Sequence, residues 1–133
     1  MAKILLIDDD EEVGMALKHL LTGLGFNVFW TQDAIGASIQ SQSIKPDVLI
    51  LDFSLPGANG AVVYRRLRQN DSTRNTPILL ISGHPKKEID GAFRDEGIST
   101  PERTLFLTKP LDPATLKQVV LDLMKYNETP GPK

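Results

Sequence analysis

Residues 48 to 51, Val-Leu-Ile-Leu, form an apolar run without polar alternation that stops abruptly on Asp52. A strand that alternates apolar and polar residues can keep one face in water, whereas one without alternation has to be covered on both faces, as the central strands of parallel sheets are. Helices on both sides of a sheet are therefore required. Asp52 then falls at the carboxyl end of its strand, the edge at which open α/β sheets bind ligands. Beyond it the chain passes through Pro56 and Gly57 to Gly60.

The same grammar recurs along the chain. Residues 3 to 7 (KILLI) form a short apolar run broken by Asp8, Asp9 and Asp10, and residues 27 to 31 (NVFWT) read as a second strand. Residues 77 to 81 (PILLI) end on Ser82 and Gly83, and residues 104 to 108 (TLFLT) stop at Lys109 and Pro110. Between these runs the period changes to that of a helix. Val13, Ala16, Leu17, Leu20, Leu21 and Leu24 share one face, with Asp10 or Glu11 at the start and Gly25 at the close. Residues 33 to 43 form a weaker, Ser- and Gln-rich helix with Ile35 and Ile39 one turn apart. Asn59 caps a helix with Val63, Tyr64 and Leu67 inward and Arg65, Arg66 and Arg68 on a solvated face. Pro85 opens a helix carrying Ile89, Ala92 and Phe93, ended by Gly97, and Asp112 caps a last one with Leu116, Val119, Val120 and Leu123. Trp30 reads as core or surface, without a role.

Strand and helix thus alternate five times, which implies right-handed crossovers and an α/β doubly wound five-stranded parallel sheet, a three-layer flavodoxin-like sandwich. At 133 residues the chain makes one domain, taken as residues 1–126, with 127–133 (NETPGPK) expected to fray. With 15 Lys+Arg against 17 Asp+Glu the net charge is −2, which gives no electrostatic footprint for nucleic acid or an anionic membrane. No cysteine is present, so disulfides and thiolate metal sites are excluded. No apolar run approaches the ~18 residues of a membrane span, and acids stand where a signal peptide would be basic, so a soluble cytoplasmic protein is expected.

The chemistry follows from the strand exits: Asp8 and Asp9 after the first strand, Asp52 after the third, Ser82 after the fourth and Lys109 after the fifth. Carboxylates crowded at one sheet edge resist joint ionisation unless a cation offsets them. A hard divalent ion suits oxygen ligands, and Mg²⁺, with Mn²⁺ as a substitute, takes one or two carboxylates plus waters and a phosphate oxygen. A carboxylate nucleophile, a divalent cation, a lysine and a hydroxyl together describe a phosphoryl-accepting site. Taken singly, each has a plainer reading: a strand-end Asp caps the next helix, Ser82 sits in a turn, and Lys109 is a solvated charge.

Four segments carry a resemblance. ILLIDDDEE (4 to 12), LILDFSLPGANG (49 to 60), ILLISG (78 to 83) and LFLTKP (105 to 110) are similar, in order and spacing, to the signature segments of the CheY-like receiver domains of two-component response regulators. The resemblance covers about residues 3 to 124. It implies Asp52 as phosphoacceptor, Asp9 and Asp52 with the Ser54 backbone carbonyl as direct Mg²⁺ ligands, and Asp8 acting through bound water. Lys109 would pair with the phosphoryl oxygens, Ser82 would move toward them, and Phe106 would be the switch aromatic. The Lys109–Pro110 bond would be cis. The donor would be a phosphohistidine on a sensor histidine kinase or a histidine phosphotransfer protein, and the output partner stays open. A homodimer formed on phosphorylation is a further implication. The chain would be a phosphoacceptor that assists its own phosphorylation and dephosphorylation, not a conventional enzyme.

Departures from the family pattern also count. The connector between Gly97 and Leu105 is longer than usual and lacks the usual alanine pair, and Phe106 lacks the hydroxyl of a switch tyrosine. SGHP followed by FLTKPLDPATL resembles receivers at the end of hybrid sensor kinases. His84, two residues past Ser82, overhangs the pocket in the family and otherwise reads as an exposed loop residue. Three rival readings remain. A haloacid dehalogenase-type phosphatase needs a second Asp where Ser54 stands, a flavodoxin would have three Asp against its FMN phosphate, and a degenerate receiver serving only as a docking module would not need the complete set of five residues.

Overall fold

The computed structural model describes residues 2–52, 59–99 and 101–128, with the side chain of Asn59 outside that description. Five strands alternate with five helices: β1 (Lys3–Ile7), α1 (Glu11–Gly23), β2 (Asn27–Thr31), α2 (Ala34–Ile44), β3 (Val48–Asp52), α3 (Asn59–Gln69), β4 (Ile78–Ser82), α4 (Lys86–Asp95), β5 (Thr104–Thr108) and α5 (Pro113–Met124). The strands form one parallel sheet in the order β2-β1-β3-β4-β5. The doubly wound architecture read from the sequence is the observed one.

The missing alternation in β3 and β4 has a direct cause. Successive residues of a strand point to opposite faces, and here both faces are roofed. Leu49, Leu51, Ile78 and Leu80 join one apolar cluster with Ala37, Ala61, Leu67, Ile89 and Phe93 from α2, α3 and α4. Val48, Ile50, Leu79 and Ile81 join a second cluster with Leu17, Leu21, Leu116, Val120 and Leu123 from α1 and α5. Each buried Leu or Ile side chain contributes about 1.5–3 kcal/mol by leaving water, so the two layers hold the central strands rigidly. Caps fix where the helices begin: Asp10 accepts from Val13 N at 3.1 Å, Asp33 from Gly36 N at 2.7 Å and Asp112 from Thr115 N at 2.9 Å. Gly25 and Gly97, at φ +100° and +77°, turn the chain out of α1 and α4.

Three helix faces differ from the sequence reading. On α1, Ala16 is exposed and the inward small residue is Gly14, because the Trp30 ring lies where a side chain at 14 would go. On α2 the buried residues are Ala34, Ala37 and Ser41, while Ile35 and Ile39 stand 66% and 63% exposed. Small residues let α2 sit close to its neighbours α3 and β1, and the bulkier isoleucines are turned outward. On α3, Arg65 and Arg66 are exposed as expected, but Arg68 is half-buried and bonded to backbone carbonyls.

The long connector before β5 is tied at both ends. Ile98 N donates to Phe93 O at 2.8 Å, and Ile78 N donates to Arg103 O at 2.9 Å, so β5 enters the sheet in regular register. After α5 a 3-10 turn spans Lys125–Glu128, and within it Asn127 Nδ2 donates to Asp47 O at 3.0 Å, inside the segment expected to fray. Residues 129–133 lie outside the described residues.

Candidate functional site

Parallel pairing brings the strand exits together. Asp52 is the last residue of β3, Asp8 follows β1 directly, and Ser82 ends β4 opposite Thr108 of β5, which places Lys109 next in line. Lys109 N donates to Ser82 O at 2.8 Å, extending the β4–β5 ladder by one bond. The Lys109–Pro110 peptide is cis. Lys109 Nζ lies 2.8 Å from Asp52 Oδ2; the Asp52 side chain is fully buried and that of Lys109 is 28% exposed.

Asp8 is 3% exposed, and its Oδ1 accepts from Asp10 N at 2.9 Å. Burial pushes its carboxyl up from the ordinary 3.8 to about 7; the Asp10 amide works against this, and the Asp52 carboxylate beside it adds to it. Asp8 Oδ2 and Asp52 Oδ1 are both buried and, among the described residues, have no partner beyond the hydrogen bond that a protonated Asp8 can make to Asp52. Two carboxylate oxygens stranded in this way carry a desolvation cost that an incoming cation would relieve. With Asp9, which is exposed at the rim, they line a cleft of about 300 Å³ that also takes in Gln32, Asp33, Gly60 and Val63. Among the described residues no three acidic or histidine side chains gather closely enough to form a metal shell alone. Mg²⁺ takes only one or two carboxylates and completes its octahedron with waters and substrate oxygens. The donor set and its two orphaned oxygens therefore fit a divalent cation. Ser54, whose carbonyl was the third expected ligand, lies outside the described residues.

Ser82 and Phe106 are not among the residues that line this cleft. Ser82 is 2% exposed, and its Oγ accepts from His84 N at 2.8 Å. Phe106 is half-buried and meets Phe93 edge-on, ring centroids 6.2 Å apart at 87°, while Lys86 Nζ sits 5.7 Å from its ring. The His84 side chain is 45% exposed and turned to Glu88, with Nδ1 3.3 Å from Oε2.

The structure thus brings Asp8, Asp9, Asp52 and Lys109 to one notch, with Ser82 behind it. The chain matches the family described as response regulator receiver domain over residues 4–121. It belongs to the response regulator receiver family. Among curated relatives, the response regulator PleD of Caulobacter vibrioides is 32% identical over 126 residues, which cover 94% of this chain and 26% of PleD. The phosphate regulon transcriptional regulatory protein PhoB of Rhizobium meliloti is 37% identical over 93 residues, 68% of this chain and 41% of PhoB. The receiver therefore spans well under half the length of these relatives. Against the chemotaxis protein CheY-3 of Vibrio cholerae it is 29% identical over 119 residues, covering 87% of this chain and 86% of CheY-3. Of solved structures, the receiver domain of sensor histidine kinase PA1611 from Pseudomonas aeruginosa, with magnesium coordinated in its active site cleft, superposes with a TM-score of 0.75. At 22% identity it covers 93% of this chain and 98% of its own, and shows a common fold.

Three parts of this receiver's notch had not been read from the sequence. Gln32 and Asp33 reach the cleft from the β2–α2 junction, where Asp33 looked like an ordinary helix residue. Trp30 donates its indole N–H to Asp8 O at 2.8 Å. No pattern in the sequence signals that contact, because its two ends lie 22 residues apart, on β2 and just past β1.

Proposed function

We propose that this receiver, a domain of two-component phosphorelay signalling, takes its phosphoryl group onto Asp52 from a phosphohistidine on a sensor histidine kinase or histidine phosphotransfer protein. The supporting observation is the Lys109 Nζ to Asp52 Oδ2 contact of 2.8 Å beside two buried carboxylate oxygens that no donor group among the described residues reaches. Asp52 would attack phosphorus as the P–N bond breaks, and the imidazole would leave with its electron pair and take up a proton. Lys109 would hold the carboxylate before transfer and the phosphoryl oxygens after it.

Asp8, Asp9, Asp52 and the Ser54 carbonyl would hold Mg²⁺, as the magnesium in the PA1611 receiver cleft supports; Mn²⁺ would serve in its place. When bound, the ion would offset the carboxylates and the charge of the transferring group. The receiver would thereby assist its own phosphorylation and dephosphorylation. Ser82 would exchange its bond with His84 N for one to the phosphoryl group, and Phe106 would turn inward against Phe93, altering the face around β5 for an output partner or a second copy of the chain. No helix among the described residues is long and apolar enough to cross a membrane, which is consistent with a cytoplasmic site of action.

Mass spectrometry after incubation with acetyl phosphate and Mg²⁺ tests the assignment. A gain of one phosphoryl mass is expected for the wild type and none for Asp52→Asn; a gain that persists in the variant would refute Asp52 as the acceptor.

A further inference from the structure

Both backbone groups of Asp8 are tied to β2. Its amide N–H donates to Thr31 O at 3.0 Å, and its carbonyl accepts from Trp30 Nε1 at 2.8 Å. That carbonyl belongs to the peptide unit joining Asp8 to Asp9, the two acids expected to face the cation. A peptide unit is planar, so fixing its oxygen fixes the direction in which the chain leaves Asp8 and enters Asp9.

The ring itself is held from the other side. A Cβ added at Gly14 of α1 would come within 2.7 Å of both Cε2 and Nε1 of Trp30. Gly14 is buried, and a glycine in the second turn of a helix costs stability relative to alanine, so close approach by the indole accounts for its place. The chain thus seats its one tryptophan between α1 and the acidic loop with its single donor aimed at Asp8 O.

We infer that Trp30 is a positioning residue for the cation site: its indole N–H, braced on Gly14, sets the Asp8–Asp9 peptide plane and so the aim of both carboxylates. The inference rests on the cation-binding reading of the notch. Partners that orient metal ligands commonly matter to affinity far more than their distance suggests. Because the chain has only one Trp, its emission also reports directly on the site.

The test is a calorimetric MgCl₂ titration of the full chain as wild type, as Trp30→Phe, and with Trp replaced biosynthetically by β-(3-benzothienyl)alanine. That isostere keeps both fused rings and substitutes sulfur for the N–H. Both replacements are expected to weaken Mg²⁺ binding about fivefold, the scale of one neutral hydrogen bond. The isostere should do so with its circular dichroism and unfolding midpoint unchanged. Gly14→Ala, which retains the tryptophan but displaces the ring, should weaken Mg²⁺ by a similar factor and shift the emission maximum. In the wild type, emission should change saturably with the calorimetric affinity. Isostere-containing protein that binds Mg²⁺ as tightly as the wild type would overturn the role of Trp30 while leaving the notch reading intact. A wild type that binds no Mg²⁺ would overturn the notch reading, and this inference with it.

Discussion

The two ends of the sheet treat charge in opposite ways. At the amino end, Arg68 is saturated: Nη1 donates to Thr73 O at 3.1 Å, Arg74 O at 3.3 Å and Thr76 O at 2.6 Å, and Nη2 donates to Glu102 O at 2.8 Å and Arg103 O at 3.4 Å. Its Nε reaches Tyr64 OH at 3.3 Å, and its guanidinium carbon stands 5.2 Å from the centre of that ring. One planar cation thereby joins the α3–β4 loop to the connector that feeds β5. At the carboxyl end, among the described residues, Asp8 and Asp52 each keep a buried oxygen that no donor group reaches, and the cation on Asp52 is the partly exposed Lys109. The amino end spends its charge on holding the fold, while the carboxyl end keeps charge unsatisfied and available. An arginine-lined cleft of about 260 Å³ at the amino end, with Arg65, Arg68, Arg74 and Arg103 on its walls, fits the same contrast. Arg65 is paired with Glu96 at 3.5 Å, and Arg103 Nε donates to Asn75 O at 2.8 Å.

Three substitutions would break or sharpen this contrast. Asp52→Asn should abolish phosphoryl uptake yet change the unfolding free energy by less than about 1 kcal/mol, because relief of repulsion with Asp8 offsets loss of the Lys109 pair; urea denaturation checks the second half. Arg68→Ala should do the reverse. Withdrawing its bonds from five backbone carbonyls should destabilise the protein by roughly 2–4 kcal/mol, with uptake at Asp52 preserved. Arg68→Lys should recover little, since an ammonium cannot span both segments at once.

Next in size is a pH effect on the metal-free protein. The Asp8 carboxyl has its folded pKa raised to about 7 from 3.8, so between these values the folded state holds a proton that the unfolded chain has lost. Stability should therefore fall as pH rises from about 4 to about 7 and level off above. Asp8→Asn should flatten this slope, as urea denaturation at a series of pH values would show. The smallest effect belongs to an ordinary cap. Bonds from Thr115 N and Thr115 Oγ1 hold the Asp112 carboxyl below its usual 3.8. Asp112→Asn should lower the thermal midpoint slightly at pH 7, and the difference should vanish as pH falls below 3.8.

What the sequence disclosed divides along similar physical lines. Strands β1, β3 and β4 were legible within a residue at each end because coverage on both faces leaves an unbroken apolar run, β2 and β5 at the edges were legible from their apolar and aromatic residues, and the strand-exit rule then pointed to Asp8, Asp9, Asp52, Ser82 and Lys109. Helix faces were less legible. Ile35 and Ile39 look like core by composition, yet the close fit of α2 selects Ala34, Ala37 and Ser41, and isolated exposed isoleucines carry little penalty. Arg68 looked solvated because nothing local shows that its acceptors come from two loops far along the chain. The indole of Trp30 posed the same problem: its partner is a backbone carbonyl, which any residue can offer.

The order in which the notch is assembled also matters. Its acids come from β1 and β3, but the lysine that answers Asp52 arrives only after β5, the last strand of the sheet. A nascent chain emerging from the ribosome amino end first would expose both acids with no counter-charge, and would be deaf to a phosphate donor until its final strand docked. With Asp52 as the proposed acceptor, competence to receive the signal would wait on the docking of the last strand.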